Sequence, residues 1–182
     1  MDDIVRQAMA KWPDVPDCYG WLGLDARGHW YMRDDVAQAQ GSFTSGFPGA
    51  KGSLLQHEKL IGFIHRNYAA DAQGRWYFQN GPQRVYVELE VSPWVWRIAS
   101  DFGVQAQTGA TTQCLRCMSD EFGRVYLLTS LGFGLVHSLD VVIVALALDT
   151  GHWTLEDVRA NELAAEFGYV LSPQAQQKAL LK

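Results

Sequence analysis

The sequence predicts an α+β protein in which repeated β-hairpin or meander units form a twisted, mainly antiparallel sheet with a few packed helices. Its 182 residues are 48% hydrophobic and 19% charged, a composition typical of folded globular proteins. The 7 Trp, 7 Tyr and 8 Phe favour strands and a large core, because aromatic side chains suit pleated surfaces and bury much area. Segments typical of hairpins also recur along the chain.

Three similar segments predict hairpin turns. They read LDARGHWYM at 24–32, ADAQGRWYF at 70–78 and SDEFGRVYL at 119–127, each with Asp, then Gly, then Tyr at intervals of three residues. Asp at the first and Gly at the fourth position favour a type I turn, because Asp hydrogen-bonds the turn backbone and Gly accepts a positive φ. Each segment therefore predicts the turn and second strand of a hairpin.

The second and third of these segments remain similar further along the chain. GRWYFQNGPQRVYVELEV from Gly74 and GRVYLLTSLGFGLVHSLDV from Gly123 both predict a strand, a Gly-containing turn and an alternating strand, followed by an apolar strand at 94–98 or 141–148. The sequence thus predicts a single domain with internal pseudo-repeats. The approximate units are 20–50, 53–100 and 110–150, followed by C-terminal helices at 154–182, within one domain spanning 1–182.

A helix is predicted at 53–68, SLLQHEKLIGFIHRNY, and is expected to pack on the sheet. Ser53 and Gln56 have the spacing of a capping box, and the apolar residues lie roughly on one face. The preceding segment, 33–52, is rich in Gly, Ser and Gln and predicts a mobile loop.

Two further helices are predicted near the C-terminus. Thr154 with Asp157 predicts the start of one that runs through Phe167 to a stop at Gly168. The pair Ser172-Pro173 predicts a short last helix, because Ser is a common N-cap and Pro suits the first helical position.

The charge and the apolar runs exclude two classes of partner. The formal net charge is −5 and no run of Lys or Arg is present, which argues against binding the nucleic-acid backbone. The N-terminus, MDDIVRQAMAKW, does not resemble a signal peptide. The longest apolar run, 141–148, is far shorter than the ~20 residues of a membrane helix. We therefore expect a cytoplasmic protein with no nucleic-acid and no membrane partner.

The cysteines and histidines predict no metal and no cofactor. The chain has 3 Cys, an odd number that favours reduced thiols over a disulfide framework. Cys114 and Cys117 form a lone C-x-x-C that lacks two further zinc ligands, in a segment that predicts strand, turn and strand. The 5 His show no metal-ligand spacing, and a site shared by His65, His137 and Asp140 is the remaining alternative.

The polar stretch QNGPQR at 79–84, between two predicted strands, is the strongest candidate site. Its Arg and amide side chains are directional donors suited to a carboxylate or phosphate. The alternative is that Asn80-Gly81 is only a turn and that Arg84 lies on a solvated face, paired with Glu88. The candidate ligand-binding residues are Arg66, Asn67, Arg75, Gln79, Asn80, Gln83 and Arg84.

Two other groups of residues are candidate sites. Ser130, His137 and Asp140 suggest a hydrolase, but they are close in sequence and no G-x-S-x-G elbow accompanies them, so Gly132 and Gly134 are expected to be structural. Strand alternation places Trp76 and Phe78 on one face, Tyr77 on the other, and Trp94 and Trp96 together. An aromatic face exposed in a groove would suit a planar ligand or a protein partner.

Several of these motifs carry a family resemblance. GRWYFQNGPQRVYVELEVSPWVWR, with FIHRNY before it and LTSLGFGLVHSLDVV and GHW after it, resembles a proteobacterial family of unknown function from Trp21 to about Pro173. The layout G-x-W-Y, Pro-containing turn, V-x-V-E and S-P-W is more distantly similar to a second such family, described as having repeated structural motifs and a suggested signalling or ligand-binding role. That family tends to have Thr-Pro-x-Glu where this chain has Asn80-Gly81-Pro82-Gln83-Arg84, so its site residues do not transfer. Neither resemblance implies a known reaction.

Together these observations favour a cytoplasmic, non-catalytic module that binds a small anionic ligand or a protein partner, with a signalling role implied by the distant resemblance. The alternative is a hydrolase-like enzyme that acts on a small anionic metabolite, with Arg66 and Arg84 as substrate clamps. A third hypothesis is a homodimer joined through the apolar segment 141–148 or through the aromatic face.

Overall fold

The computed structural model describes residues 1–181, which divide into two compact units. Unit 1 comprises Met1–Asp25, His29–Glu90 and the segment from Tyr169 onward, and unit 2 comprises Ala26–Gly28 and Val91–Gly168. Each unit contains one mixed, mainly antiparallel sheet, and several helices accompany the sheets. The predicted α+β class is therefore confirmed.

The secondary-structure elements have the following bounds. The helices are α1 (Asp3–Lys11), α2 (Asp35–Ala39), α3 (Glu58–Arg66), α4 (Val141–Asp149), α5 (Leu163–Glu166) and α6 (Pro173–Leu180), with a 3₁₀ turn at Ser138–Asp140. The strands of unit 1 are β1 (Cys18–Leu24), β2 (Trp30–Met32), β3 (Ser53–Leu54), β4 (Tyr68–Ala70), β5 (Trp76–Asn80) and β6 (Gln83–Leu89). Those of unit 2 are β7 (Trp94–Ile98), β8 (Val104–Ala106), β9 (Thr111–Thr112), β10 (Cys114–Ser119), β11 (Val125–Thr129), β12 (Gly132–Val136) and β13 (Leu155–Asp157).

Both sheets join two antiparallel meanders through a parallel pair of central strands. The order in unit 1 is β3-β2-β1-β6-β5-β4, with β1 parallel to β6. The order in unit 2, from the opposite edge, is β9-β8-β7-β12-β11-β10, with β7 parallel to β12 and β13 added beside β10. The strands of the two units therefore have the same order and the same parallel centre.

The first turn of each meander closes with the same backbone hydrogen bond. The amide of the first turn residue donates to the carbonyl of the residue four positions later in Asp25–His29, Asp71–Arg75, Ala99–Gly103 and Asp120–Arg124. Three of these turns are the predicted hairpin turns, which the antiparallel pairings of β1 with β2, β4 with β5 and β10 with β11 confirm. The fourth turn was not predicted, because Ala99 replaces the Asp of the pattern.

The stretch Gln79–Arg84 forms the turn of a two-residue hairpin. Asn80 pairs with Gln83, so Gly81 and Pro82 are the two loop residues. Gly81 has a φ of 58°, and Pro is confined to negative φ, which matches a type II′ turn with Gly at its first central position.

Helix α3 begins later than predicted, at Glu58 instead of near Ser53. Ser53 and Leu54 form β3, because their backbone pairs with Met32 and Tyr31 at the sheet edge. The N-cap is His57, whose Nδ1 accepts the amide of Leu60 at 3.3 Å. Pairing with β2 therefore outweighs the local capping-box signal.

The segment 33–52, predicted to be a mobile loop, folds around the fully buried Arg33. The Arg33 guanidinium donates to the carbonyl oxygens of Gly20, Gly41 and Ala50 at 3.1, 2.6 and 2.8 Å. Helix α2 lies in this segment, and Phe43 in the same segment is buried. Carbonyl acceptors from β1 and from two positions within the segment thus fix the segment.

The predicted apolar strand at 141–148 is wrong, because this segment forms α4. A short apolar run fits a buried helix as well as a strand, and its Ala and Leu residues favour helix. Strand β12 already has β11 on one side and β7 on the other, so no place remains beside it for another strand.

The predicted helix from Thr154 is also wrong at its start. Leu155–Asp157 forms β13, which pairs in parallel with β10, and only Leu163–Glu166 is helical. The last predicted helix is confirmed as α6, where Ser172 Oγ accepts the amide of Ala175 at 3.1 Å.

The core of unit 2 contains two stacked tryptophans. The rings of Trp94 and Trp96 lie 5.7 Å apart on one face of β7, as predicted from strand alternation. A Cβ at Gly134, on the parallel neighbour β12, would lie 2.6 Å from both Trp94 Cβ and Trp96 Nε1. Gly134 is therefore structural, because Trp94 and Trp96 occupy the space that a side chain would need.

Replacing Asp120 by Ala should destabilise the protein by roughly 2–4 kcal/mol at pH 7, because the hydrogen bonds that the buried carboxylate accepts from the Tyr126 hydroxyl and the Arg124 guanidinium would be lost. Burial raises the pKa of Asp120, but these hydrogen bonds outweigh it and hold the pKa below 3.8. The stabilisation is therefore complete above about pH 5 and lost as the pH falls through the lowered pKa.

Urea unfolding at pH 7 and pH 3 measures this effect. The matched control is Asp101→Ala, because Asp101 is exposed and accepts the amide of Gly103 in the corresponding turn of β7 and β8. We expect it to cost less than about 1 kcal/mol. Equal losses in the two variants would contradict the role assigned to Asp120.

Gly134→Ala should destabilise the protein by about 1–3 kcal/mol, because the new methyl group would overlap Trp94 Cβ, the Trp94 carbonyl oxygen and the Trp96 indole. The control is Gly62→Ala in α3, where a Cβ would meet only Arg66 Nη1 at 3.4 Å and Ala favours helix. We expect this control to be neutral or stabilising in urea unfolding. A Gly134→Ala variant as stable as the wild type would contradict the tight packing.

Candidate functional site

A cleft of about 270 Å³ lies on the sheet of unit 1, next to α3. Helix α3 contributes Leu60 and Ile64 to its wall, and the strands contribute its floor and remaining walls. The strand residues that line the cleft are Cys18, Trp21, Leu22, Met32, Phe78, Asn80, Gln83 and Val85. The lining is therefore mainly apolar, with two amides and one thiol.

Strand register explains why Cys18, Phe78 and Val85 share one face. Phe78 pairs with Val85 across β5 and β6, and Cys18 pairs with Val85 across β1 and β6. Directly paired residues point to the same side of a sheet, so all three side chains face α3. Phe63 of α3 packs edge-on against Phe78, with ring centroids 5.3 Å apart, and this contact seats the helix over the sheet.

The polar groups of the cleft are uncharged. Asn80 is exposed, and Gln83 Nε2 donates to the carbonyl of Pro16 at 3.1 Å. Burial raises the pKa of the Cys18 thiol, which favours the neutral form. Among the lining residues there is no carboxylate, ammonium, guanidinium or imidazole group. The cleft can therefore form hydrogen bonds with a ligand, but its lining has no charged group to pair with an ionic ligand.

The first two of the predicted site residues, Arg66 and Asn67, bind the N-terminal segment instead of lining the cleft. Arg66 Nε lies 3.2 Å from the carboxylate of Asp2, and Arg66 Nη1 donates to the Gly62 carbonyl. Asn67 is buried, accepts the amide of Asp2 at 2.8 Å and donates to Phe63 O at 2.9 Å. This pair fixes the end of α3 to the start of α1.

Arg75 and Arg84 lie beside tyrosine rings. Arg75 forms an ion pair with Asp71 at 2.7 Å and donates to Tyr86 Oη at 3.1 Å. The Arg84 guanidinium lies 4.9 Å from the ring centroid of Tyr77. Burial raises the pKa of Tyr86 to about 12, so its hydroxyl stays protonated and donates to Asp71 at 3.0 Å.

Gln79 is buried and Glu88 does not pair with Arg84. Gln79 Nε2 donates to the Gly81 carbonyl at 2.9 Å, and within residues 1–181 its Oε1 has no hydrogen-bond partner. The predicted pairing of Arg84 with Glu88 is wrong, because the buried Glu88 accepts the Gln174 amide at the start of α6. Of the seven predicted residues, the cleft therefore brings together two, Asn80 and Gln83.

The side chains of Ser130, His137 and Asp140 are each engaged separately. Asp140 accepts Arg97 Nε at 2.6 Å, His137 Nδ1 accepts the Leu139 amide at 3.2 Å, and the hydroxyl of Ser130 lies 3.1 Å from that of Thr112. These contacts stabilise turns and do not form a nucleophile–base relay.

Residues 1–181 contain no group of three or more His, Cys, Asp or Glu side chains able to hold a metal ion. None of their helices has the length and apolarity of a membrane-spanning helix. Helix α4 exposes Val142 and Leu146, so the homodimer predicted through segment 141–148 would use a helical face and stays a prediction.

A family model described as "Protein of unknown function (DUF2946)" matches residues 1–174. The chain belongs to this family. Membership confirms the prediction of a family of unknown function, which carries no stated activity. No curated protein matches the chain. The crystal structure of a DUF1285 family protein from Silicibacter pomeroyi DSS-3 is similar to this DUF2946 member, with a TM-score of 0.46 and 10% identity over 70% of this chain and 68% of that one.

The cleft residues that the sequence did not predict come from distant segments. Cys18, Trp21 and Leu60 were not singled out as candidates, because no motif connects β1 or α3 with the hairpin at 76–89. The apolar face of α3 was the available signal, since it predicted packing on the sheet. Only the parallel pairing of β1 with β6 places Cys18 next to Val85.

The thiols of Cys114 and Cys117 should react slowly in the native protein. Burial raises the pKa of Cys114 to about 11 and that of Cys117 to about 12. Since only thiolates react, alkylation by iodoacetamide at pH 8 should be about 100-fold slower than in the urea-unfolded chain. Mass spectrometry of timed samples measures the rates, and fast native labelling of either residue would indicate an activated cysteine.

Proposed function

We propose that this protein is a non-catalytic module that binds a small, uncharged molecule in the cleft of unit 1. The observation that carries the proposal is the cleft itself, an apolar depression that has the amide residues Asn80 and Gln83 in its lining. Ligand sites commonly combine apolar walls with a few polar groups that orient the ligand. General acid–base catalysis needs a titratable group at the reacting atoms, and the cleft lining supplies only the Cys18 thiol with its raised pKa.

The size and charge of the cleft narrow the ligand class. Its volume of about 270 Å³ is below the ~300–1,000 Å³ of most drug-sized sites, which favours a ligand of one or two rings. The alternative, a small anionic ligand or metabolite, would depend on Arg84. Arg66 and Arg75 already form ion pairs with Asp2 and Asp71.

Amide NMR titrations with a fragment library test the proposal. The library should contain uncharged ring compounds, together with phosphate and citrate. We expect uncharged fragments to shift the amide signals of Cys18, Leu22 and Phe78, which line the cleft. Gln83→Ala should weaken their binding by about 5–10-fold, because one hydrogen bond is lost. Arg84→Ala is the matched control, since the next residue along β6 points to the opposite face.

Two outcomes would contradict the proposal. The first is the absence of shifts in the cleft for every compound. The second is binding of phosphate or citrate with shifts around Tyr77 that Arg84→Ala abolishes, which would support the anionic ligand instead. Thermal unfolding of each variant shows whether it remains folded.

A further inference from the structure

We infer that the cleft of unit 1 selects a planar aromatic ring system, because unit 2 fills the corresponding position of its own sheet with two tryptophans. The inference rests on the proposed function and specifies its ligand class. It depends on matching the two sheets through the parallel strand pairs at their centres, β1 with β6 and β7 with β12.

The residue correspondence follows from register. In unit 1, Val85 and Val87 of β6 pair with Cys18 and Leu22 of β1. The register shifts on β1 between Cys18 and Leu22, so residues four positions apart on β1 pair with residues two positions apart on β6. In unit 2, Gly134 and Val136 of β12 pair with Trp94 and Trp96 of β7 without a shift. The hairpins agree too, since the loop-closing pair Asn80–Gln83 corresponds to Thr129–Gly132. Cys18 therefore corresponds to Trp94, and Leu22 to Trp96.

The side chains at these positions differ greatly in size. In unit 2 the two indoles stack and are almost fully buried. In unit 1 a thiol and an isobutyl group stand in their place, beside the 270 Å³ cleft. The same sheet frame thus contains aromatic rings in one unit and an open space of small-molecule size in the other. A flat ring that enters this space would take the position of an indole.

The walls of the cleft also suit an aromatic ligand. Phe78 and Trp21 offer ring surfaces, and the Met32 thioether favours contact with ring edges. In unit 2, Trp94 Nε1 donates to Leu131 O in the hairpin loop at 2.9 Å. The corresponding hairpin end in unit 1 has the amides of Asn80 and Gln83, which can accept a ring N–H and donate to a ring carbonyl. The ligand class is therefore an uncharged heteroaromatic ring with such groups on one edge.

A matched pair of probes tests this inference: 2-oxindole and its saturated analogue octahydroindol-2-one. Both are neutral lactams with the same N–H and C=O groups, and only the first has an aromatic ring. NMR titration should give a tighter Kd for 2-oxindole by roughly 3–10-fold, with shifts at Cys18 and Phe78. Cys18→Trp, which copies unit 2, should fill the cleft and abolish binding. Cys18→Ser, of nearly unchanged size, should retain it.

The outcomes distinguish this inference from the proposed function. Equal affinity of the two lactams, or binding of other fragments in the cleft without 2-oxindole, would overturn the aromatic preference and leave the proposed function standing. A cleft that no compound enters would overturn both. If Cys18→Trp does not fold, Asn80→Ala at an exposed cleft position replaces it, and retention of full 2-oxindole affinity there would contradict the role of the amides.

Discussion

The parallel pairing of the two central strands is the interaction on which the rest of each unit depends. Parallel strands cannot be joined by a tight turn, so the chain must run through several elements before it returns to pair with β1 or β7. In unit 1 the returning strand is β6, and its pairing places Cys18 beside Val85 and Leu22 beside Val87. These two pairs join residues more than 60 positions apart and form the floor of the cleft, and α3 forms part of its wall.

The two sheets have the same strand order but carry different side chains at their central strand pairs. The side chain on one strand limits the size of the side chain on its neighbour. In unit 2, Trp94 and Trp96 project from β7, and Gly134 on β12 leaves room for them. In unit 1, the smaller Cys18 faces Val85, and the position is only partly filled. The difference between the two units at this position therefore lies in side-chain size and not in the arrangement of the strands.

Two of the arginines that the sequence predicted to bind a ligand form ion pairs within unit 1 instead. Arg66 pairs with Asp2, and Arg75 pairs with Asp71. A buried carboxylate in a turn is stabilised when Arg, Tyr and backbone donors surround it, as for Asp71 and Asp120. These ion pairs fasten turns and helix ends, and the cleft itself remains uncharged.

The sequence by itself determined the local elements: the hairpin turns at Asp25, Asp71 and Asp120, the Gly81-Pro82 loop, and the faces of the aromatic strands. These depend on residues within a few positions of each other, which carry the turn and alternation signals. Only the tertiary structure decided that 141–148 is helical, that Gln83 and Arg84 have different surroundings, and that Cys18 meets Val85. The reason is that strand pairing and packing depend on long-range register, which no local pattern encodes.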